Sequence, residues 1–233
     1  MASTAVVTAI GCGPEGWRHV LGVGVVDTES RDSWSAFLGS VASRGVSGVR
    51  LVLSDAHEGL RRAVEEELQG AAWQRCAVHL MRDCARAASG SRGLSRRVSR
   101  IVAPVLRLRE AGAVCAACHL AIEMLEACCS EATRILEEAE PDALAYLDFP
   151  PGHWKRLRTN NLQERTNRET RRRSRGAGVS VRRLAGAACR SGGVRPGRGV
   201  VGREVLLREG DDGARRGRDV DVHLKVVRMI TGK

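Results

Sequence analysis

The stretch that most constrains this fold is Val49-Arg-Leu-Val-Leu53, an apolar run that stops abruptly at Ser54-Asp55. Branched aliphatic residues in so short a run suit a strand covered on both faces. From Leu60 to Leu68 the apolar residues recur at helical spacing, so the polar cluster Ser54 to Gly59 reads as a strand-to-helix turn. A carboxylate at the carboxyl end of a buried strand stands at the crevice where α/β sheets place their ligands. Asp55 is therefore a metal-ligand candidate by position.

The residues before this unit extend the same pattern. Thr4 to Cys12 and Arg18 to Asp27 read as two strands joined by the turn Gly13-Pro14-Glu15-Gly16. Val20 to Val26 is apolar on both alternating faces, which predicts a well-covered second strand. Trp34, Phe37, Leu38 and Val41 then fall at helical spacing within Asp32 to Ser43, and Gly45 ends that helix. Asp27 and Asp32 read as a turn residue and a helix N-cap. Strand, strand, helix, strand, helix is an α/β order.

Two motifs carry a resemblance to a known family. Asp55-Ala-His-Glu-Gly59-Leu60, followed by Trp73-Gln-Arg-Cys76 and His79, resembles the signature of Mutator-type bacterial insertion-sequence transposases. Leu157-Arg-Thr-Asn-Asn-Leu-Gln-Glu164-Arg165, continuing through Arg168 and the basic run Arg171, Arg172, Arg173 and Arg175, resembles that family's downstream motif. The likeness covers roughly Thr4 to Ala188.

The resemblance implies an α/β, RNase H-like mixed sheet with an α-helical insertion. In such a fold three carboxylates hold two divalent ions, Mg²⁺ or Mn²⁺, for DNA strand cleavage and strand transfer. Asp55 and Glu164 match two of the three. The family's first strand, with its Asp, lies upstream of what begins here at Met1, so the sheet is expected to be incomplete and the chain a truncated, inactive form. The alternative reading is a non-catalytic, basic DNA-binding or hetero-oligomerising regulator of an intact transposase. Trp73, Cys76 and His79 are read as structural signature residues.

The organisation follows from these placements. Residues 1–80 are expected to form the partial catalytic core and 81–150 the helical insertion. Residues 151–188 are the Glu-bearing basic segment, and 189–233 an irregular Gly/Arg-rich tail that a reading-frame change would explain. Leu80 to Ala88 continues as helix and Ser89 to Arg100 is Ser/Gly/Arg-rich. From Ile101 to Leu147 the residues Leu106, Ala113, Ala117, Leu120, Met124, Ala127, Ile135 and Leu136 predict amphipathic helices, with Pro150-Pro151-Gly152 as their exit.

A net charge of +11 points to a polyanion, and DNA is the partner expected, alongside a second copy or an intact transposase. No apolar run approaches the roughly 18 residues of a membrane span, so no membrane partner is expected and the location is read as cytoplasmic. The eight cysteines are then reduced thiols. Cys115-Ala-Ala-Cys118-His119 spells a c-type haem attachment pattern, and with Cys128 and Cys129 a zinc cluster is conceivable. Its Ala-rich helical setting favours cysteines acting as small apolar residues, and no haem is expected. His57 and Glu58 stand as either water- or DNA-positioning groups or helix-start residues.

Overall fold

The structure is a computed structural model that describes residues 4–12, 18–26, 30–159, 194–195, 200–201, 204–205 and 222–231. It divides into two compact units, Met1–Ala72 with Asn160–Lys233, and Trp73–Thr159. The Gly13–Gly16 turn and Asp27 lie outside the described residues, as does the segment from Asn160 to Gly193.

The first unit is a mixed α/β structure. Strand β1 (Thr4–Cys12) pairs antiparallel with β2 (Arg18–Val26), and α1 (Arg31–Ala42), β3 (Val49–Ser54) and α2 (Glu58–Glu67) follow. Helix α1 buries Trp34, Phe37, Leu38 and Val41, the four residues whose spacing predicted it. Its N-cap is Ser30, whose Oγ accepts from Ser33 N at 3.2 Å; Asp32 sits inside the first turn instead of capping it. Gly45, at φ 95°, supplies the left-handed residue beyond the helix end.

The alternation in β2 has a packing cause. A Cβ on Gly24 would lie 2.9 Å from the Phe37 ring, and one on Gly22 would lie 3.0 Å from Val41. The two glycines therefore leave room for the α1 side chains, while Val20 and Val23 are themselves buried.

The chain beyond Gly193 lies within the tail expected to be irregular over 189–233. It contributes three short strands, β5 (Val194–Arg195), β6 (Val200–Val201) and β7 (Glu204–Val205), and the ten-residue β8 (Val222–Thr231). β6 and β7 form a separate antiparallel pair, and β5 runs parallel to the edge of β2. β8 lies between β1 and β3, antiparallel to the first and parallel to the second, with Thr4 opposite Thr231 and Leu53 opposite Lys225. The strand order is β3–β8–β1–β2–β5. β8 is thus paired along both of its edges. Val-His-Leu-Lys-Val-Val-Arg-Met-Ile-Thr is rich in β-branched residues and free of Gly and Pro, which suits a ladder on both edges.

The second unit begins inside β4 (Ala72–Arg75) and is otherwise helical. It contains α3 (Ala77–Ala87), α4 (Arg92–Val105), α5 (Ala111–Glu126), α6 (Ser130–Leu144), a 3₁₀ turn at Ala145–Asp148 and α7 (Trp154–Leu157). α3 packs on α4 and α6, and α5 packs on the same two, closing a ring around Leu80, Val98, Val102, Val114, Leu125 and Leu136.

Two sequence readings need correction here. The Ser/Gly/Arg-rich stretch Ser89 to Arg100 contains most of α4, capped by Ser91, whose Oγ accepts from Leu94 N at 3.4 Å. In α5 the core-facing residues are Val114, Cys118, Ala121 and Leu125, while Leu120 and Met124 are 56% and 47% exposed. The predicted stripe is thus rotated by about one residue. A helix built of Ala and Cys has little contrast between its faces, and spacing alone does not fix its rotation.

Candidate functional site

Asp55 follows β3 directly and is half-buried at its carboxyl end, where Ser54 Oγ donates to its backbone oxygen at 2.9 Å. The strand behind it is one of the best-buried in the unit, with Leu51, Val52, Leu53 and Ser54 each 2% exposed or less. This is the position read from the sequence.

The next residues are committed to starting α2. His57 is its N-cap, with Nδ1 accepting from Leu60 N at 3.2 Å, and its ring stands edge-on to Trp34 at 5.8 Å. Glu58 occupies the first turn and pairs with Arg62 at 2.9 Å. Of the two readings left open, these contacts supply the helix-start role for both. A Cβ on Gly59 would meet His57 Cε1 at 3.1 Å and Arg31 N at 3.2 Å, so glycine lets α2 start against the head of α1. Arg31 reinforces that junction through Glu66, with contacts of 2.6 and 2.9 Å. Hydrogen bonding to Arg31 holds the Glu66 carboxyl below its ordinary range.

The second part of the first motif lies in the helical unit. Trp73 is half-buried, Cys76 is the buried N-cap residue of α3, and His79 is half-buried with Nε2 3.3 Å from Arg82 Nη1. Sequence reasoning missed the most constrained member of this group. Gln74 is completely buried; its Nε2 donates to Ala143 O at 2.8 Å and Arg75 O at 2.7 Å, and its Oε1 accepts from Tyr146 N at 2.8 Å. The available signal was a lone amide among half-buried neighbours in a short strand. Beside it Arg75 pairs with Asp83 at 2.9 Å.

The start of the second motif is anchored here too. Arg158 O accepts from Ala77 N at 2.9 Å, its guanidinium donates to Leu108 O at 3.3 Å, and it lies 5.9 Å from the centre of the Tyr146 ring. Glu164, Arg165, Arg168, Arg171, Arg172, Arg173 and Arg175 lie outside the described residues.

The haem-like pattern is split by the helix that carries it. Cys118 is in the core of the second unit, where burial pushes its thiol up to about 12, while the His119 side chain is 67% exposed and 3.2 Å from Glu140. Cys84 is likewise buried and pushed up to about 11. Among the described residues there is no group of three or more His, Cys, Asp or Glu able to hold a metal ion. Among those residues Asp55 stands alone in this respect at the end of β3, and β8 has no Asp or Glu between Val222 and Thr231. No described helix is long and apolar enough to cross a membrane.

A mixed α/β unit with a carboxylate at the end of a buried strand, joined in sequence to a mainly helical unit, matches a known family over most of its length. The chain belongs to the Mutator family of transposases, whose profile matches residues 1–183. It is 35% identical over 207 residues to the transposase for insertion sequence element IS1081 of Mycobacterium tuberculosis, covering 86% of this chain and 49% of that protein. It is 37% identical over 179 residues to the IS406 transposase of Burkholderia multivorans, covering 75% and 45%. The IS256 transposase in transposon Tn4001 of Staphylococcus aureus is 31% identical over 167 residues, covering 71% and 42%. The chain spans about half the length of the curated relatives it matches.

Proposed function

We propose that this chain acts in DNA transposition in the cytoplasm, on an RNase H-like core built for strand cleavage and strand transfer. The observation that carries the reading is Asp55, set directly after the buried β3 and inside the motif shared with transposases. Asp55 and Glu164 are the carboxylates that would hold Mg²⁺ or Mn²⁺. A bound pair of such ions supplies Lewis-acid stabilisation of the attacking and leaving oxygens. Arg165, Arg168, Arg171, Arg172, Arg173 and Arg175 are assigned to the DNA backbone, each neutralised phosphate adding to a salt-dependent affinity.

As it stands the chain is read as non-catalytic. Two-metal chemistry of this kind draws carboxylates from separate elements, and β8, paired with β3 in the same unit, brings none. What remains is binding: a basic chain that occupies DNA, or pairs with an intact transposase, without cutting.

The test is nicking of a supercoiled plasmid by the purified chain in Mg²⁺ or Mn²⁺, run beside a DNA-binding titration. The expected result is no nicking, with DNA affinity that falls in high salt and is unchanged in Asp55→Asn. Nicking abolished by Asp55→Asn overturns the non-catalytic reading. Absence of DNA binding at low salt overturns the transposition reading itself.

A further inference from the structure

Charge in the helical unit is sharply divided along the chain. From Arg75 to Arg109 there are nine arginines and one carboxylate, Asp83; from Glu110 to Asp148 there are nine carboxylates and one arginine, Arg134. α3 and α4 make up the basic half, α5 and α6 the acidic one.

On α2 and α6 the arginines are matched by carboxylates. α2 interleaves Glu58 with Arg62 and Arg61 with Glu65, and α6 places Arg134 between Glu131 and Glu138 at 2.6 and 2.7 Å. In the basic half Arg75 and Arg86 share Asp83, at 2.9 and 3.3 Å.

α4 breaks that pattern. Its fourteen residues contain Arg92, Arg96, Arg97 and Arg100 and no acid. All four are exposed, and among the described residues none has an ion-pair partner. Arg92, Arg96 and Arg100 recur every four residues, so they share one face about 6 Å apart along the axis, opposite buried Val98, Ile101, Val102 and Val105.

This arrangement works against the helix that carries it. Like charges at i and i+4 repel, and Arg92 in the first turn meets the positive end of the helix dipole. An exposed arginine is ordinarily a solvated surface group, but a surface serving only solubility would interleave carboxylates, as α2 and α6 do. The repulsion is relieved when a line of negative charges lies along the face.

We propose that the exposed face of α4, through Arg92, Arg96, Arg97 and Arg100, is a sequence-independent contact surface for the DNA phosphate backbone. It is distinct in sequence from the basic run at Arg171–Arg175, and it carries no base readout. It rests on the reading of the chain as a DNA-acting protein and adds a second place where the duplex is held. The acidic α5–α6 half repels the same polyanion, so one side of the helical unit is selected.

The experiment measures affinity for a duplex of arbitrary sequence as a function of salt, using the full chain. Compared with it are the triple variant Arg92→Gln, Arg96→Gln, Arg100→Gln, its all-Lys counterpart, and Arg171→Gln, Arg172→Gln, Arg173→Gln. Each lost phosphate contact lowers the slope of log K against log salt by about 0.9, so the α4 Gln variant should lose roughly 2–3 units of slope while the Lys variant keeps it. Circular dichroism of each variant confirms that α4 is still folded, and Arg96→Gln alone, which should lose about 0.9 of slope, serves if the triple variant is not. An unchanged slope in the folded α4 variants, with the Arg171–Arg173 variant still losing slope, overturns this inference and leaves the transposition reading intact. Salt-sensitive self-association lost in the α4 variant, with DNA affinity unchanged, overturns it in favour of α4 docking on the acidic half of a second copy. No DNA affinity in the parent chain overturns both.

Discussion

Gln74 and Ala143 are 69 residues apart and joined by a side-chain to backbone hydrogen bond of 2.8 Å, deep inside the helical unit. With the second bond from Tyr146 N to the same side chain, one amide ties β4 to the end of α6 and the 3₁₀ turn after it. A buried polar group of this kind is stabilising only while every partner is present. Gln74→Leu removes a donor and an acceptor and strands a buried carbonyl and a buried N–H. The expected loss is about 2–4 kcal/mol, read as a lowered urea midpoint. A midpoint shift within about 0.5 kcal/mol, the range of ordinary surface changes, would show that water replaces the amide without cost.

The cysteines should separate into two reactivity classes. Cys118 and Cys84, pushed up to about 12 and 11 by burial, are neutral thiols at pH 8, and the native chain should protect them from alkylation. Cys115, Cys128 and Cys129 are half-exposed and should be labelled first. The linkage has a definite sign. Raised folded-state values mean the unfolded chain loses these protons first, so stability is intact below the ordinary thiol value of 9.0 and falls as pH rises past it. Mass spectrometry after timed iodoacetamide treatment checks the first point, and thermal unfolding at pH 8 and pH 10 the second.

Gly24 and Phe37 make a paired prediction. Gly24→Ala places a methyl group 2.9 Å from the Phe37 ring and should cost about 1–3 kcal/mol through overpacking. Adding Phe37→Leu should return part of that loss, which a double-mutant cycle on unfolding free energies would read as favourable coupling. Strictly additive effects would mean the methyl group is accommodated by another route.

β8 is tested by proline. Val226 lies opposite Ala9 in the ladder with β1, and Val226→Pro removes a backbone donor within a strand paired on both sides. The loss expected is about 2–4 kcal/mol, with amide exchange accelerating together in β1 and β3. Exchange in those strands unaffected by the proline would place β8 outside the sheet.

The strength of the sequence signal varies along the chain, and the reasons are physical. β1, β2, α1, β3 and α2 are legible because their residues contrast: Trp34 and Phe37 against Asp32 and Ser33, or Leu53 against Asp55. Contrast disappears in α5, where Ala and Cys dominate and rotation is settled by neighbours in the ring. α4 is hidden by Ser and Gly, residues of low helix propensity, although Val98, Ile101 and Val102 bury its inner face. β8 shows ordinary strand composition, but nothing local says that its partners are β1 and β3. At the candidate site the place of Asp55 was legible, whereas the buried bonds of Gln74 depend on residues in α6 and beyond that no short motif contains.

The placement of β8 also bears on how this protein is made. Synthesis delivers β1 and β3 early, yet the strand that lies between them emerges only after the whole helical unit and the long segment that follows it. The helical unit, held by contacts within 73–159, can form while the ribosome is still working. The sheet must wait with two unpaired edges open, and open edges recruit whatever extended backbone is nearest. Yield in a cell should therefore depend on elongation speed and on chaperones that shield nascent strands, even when the finished fold is stable.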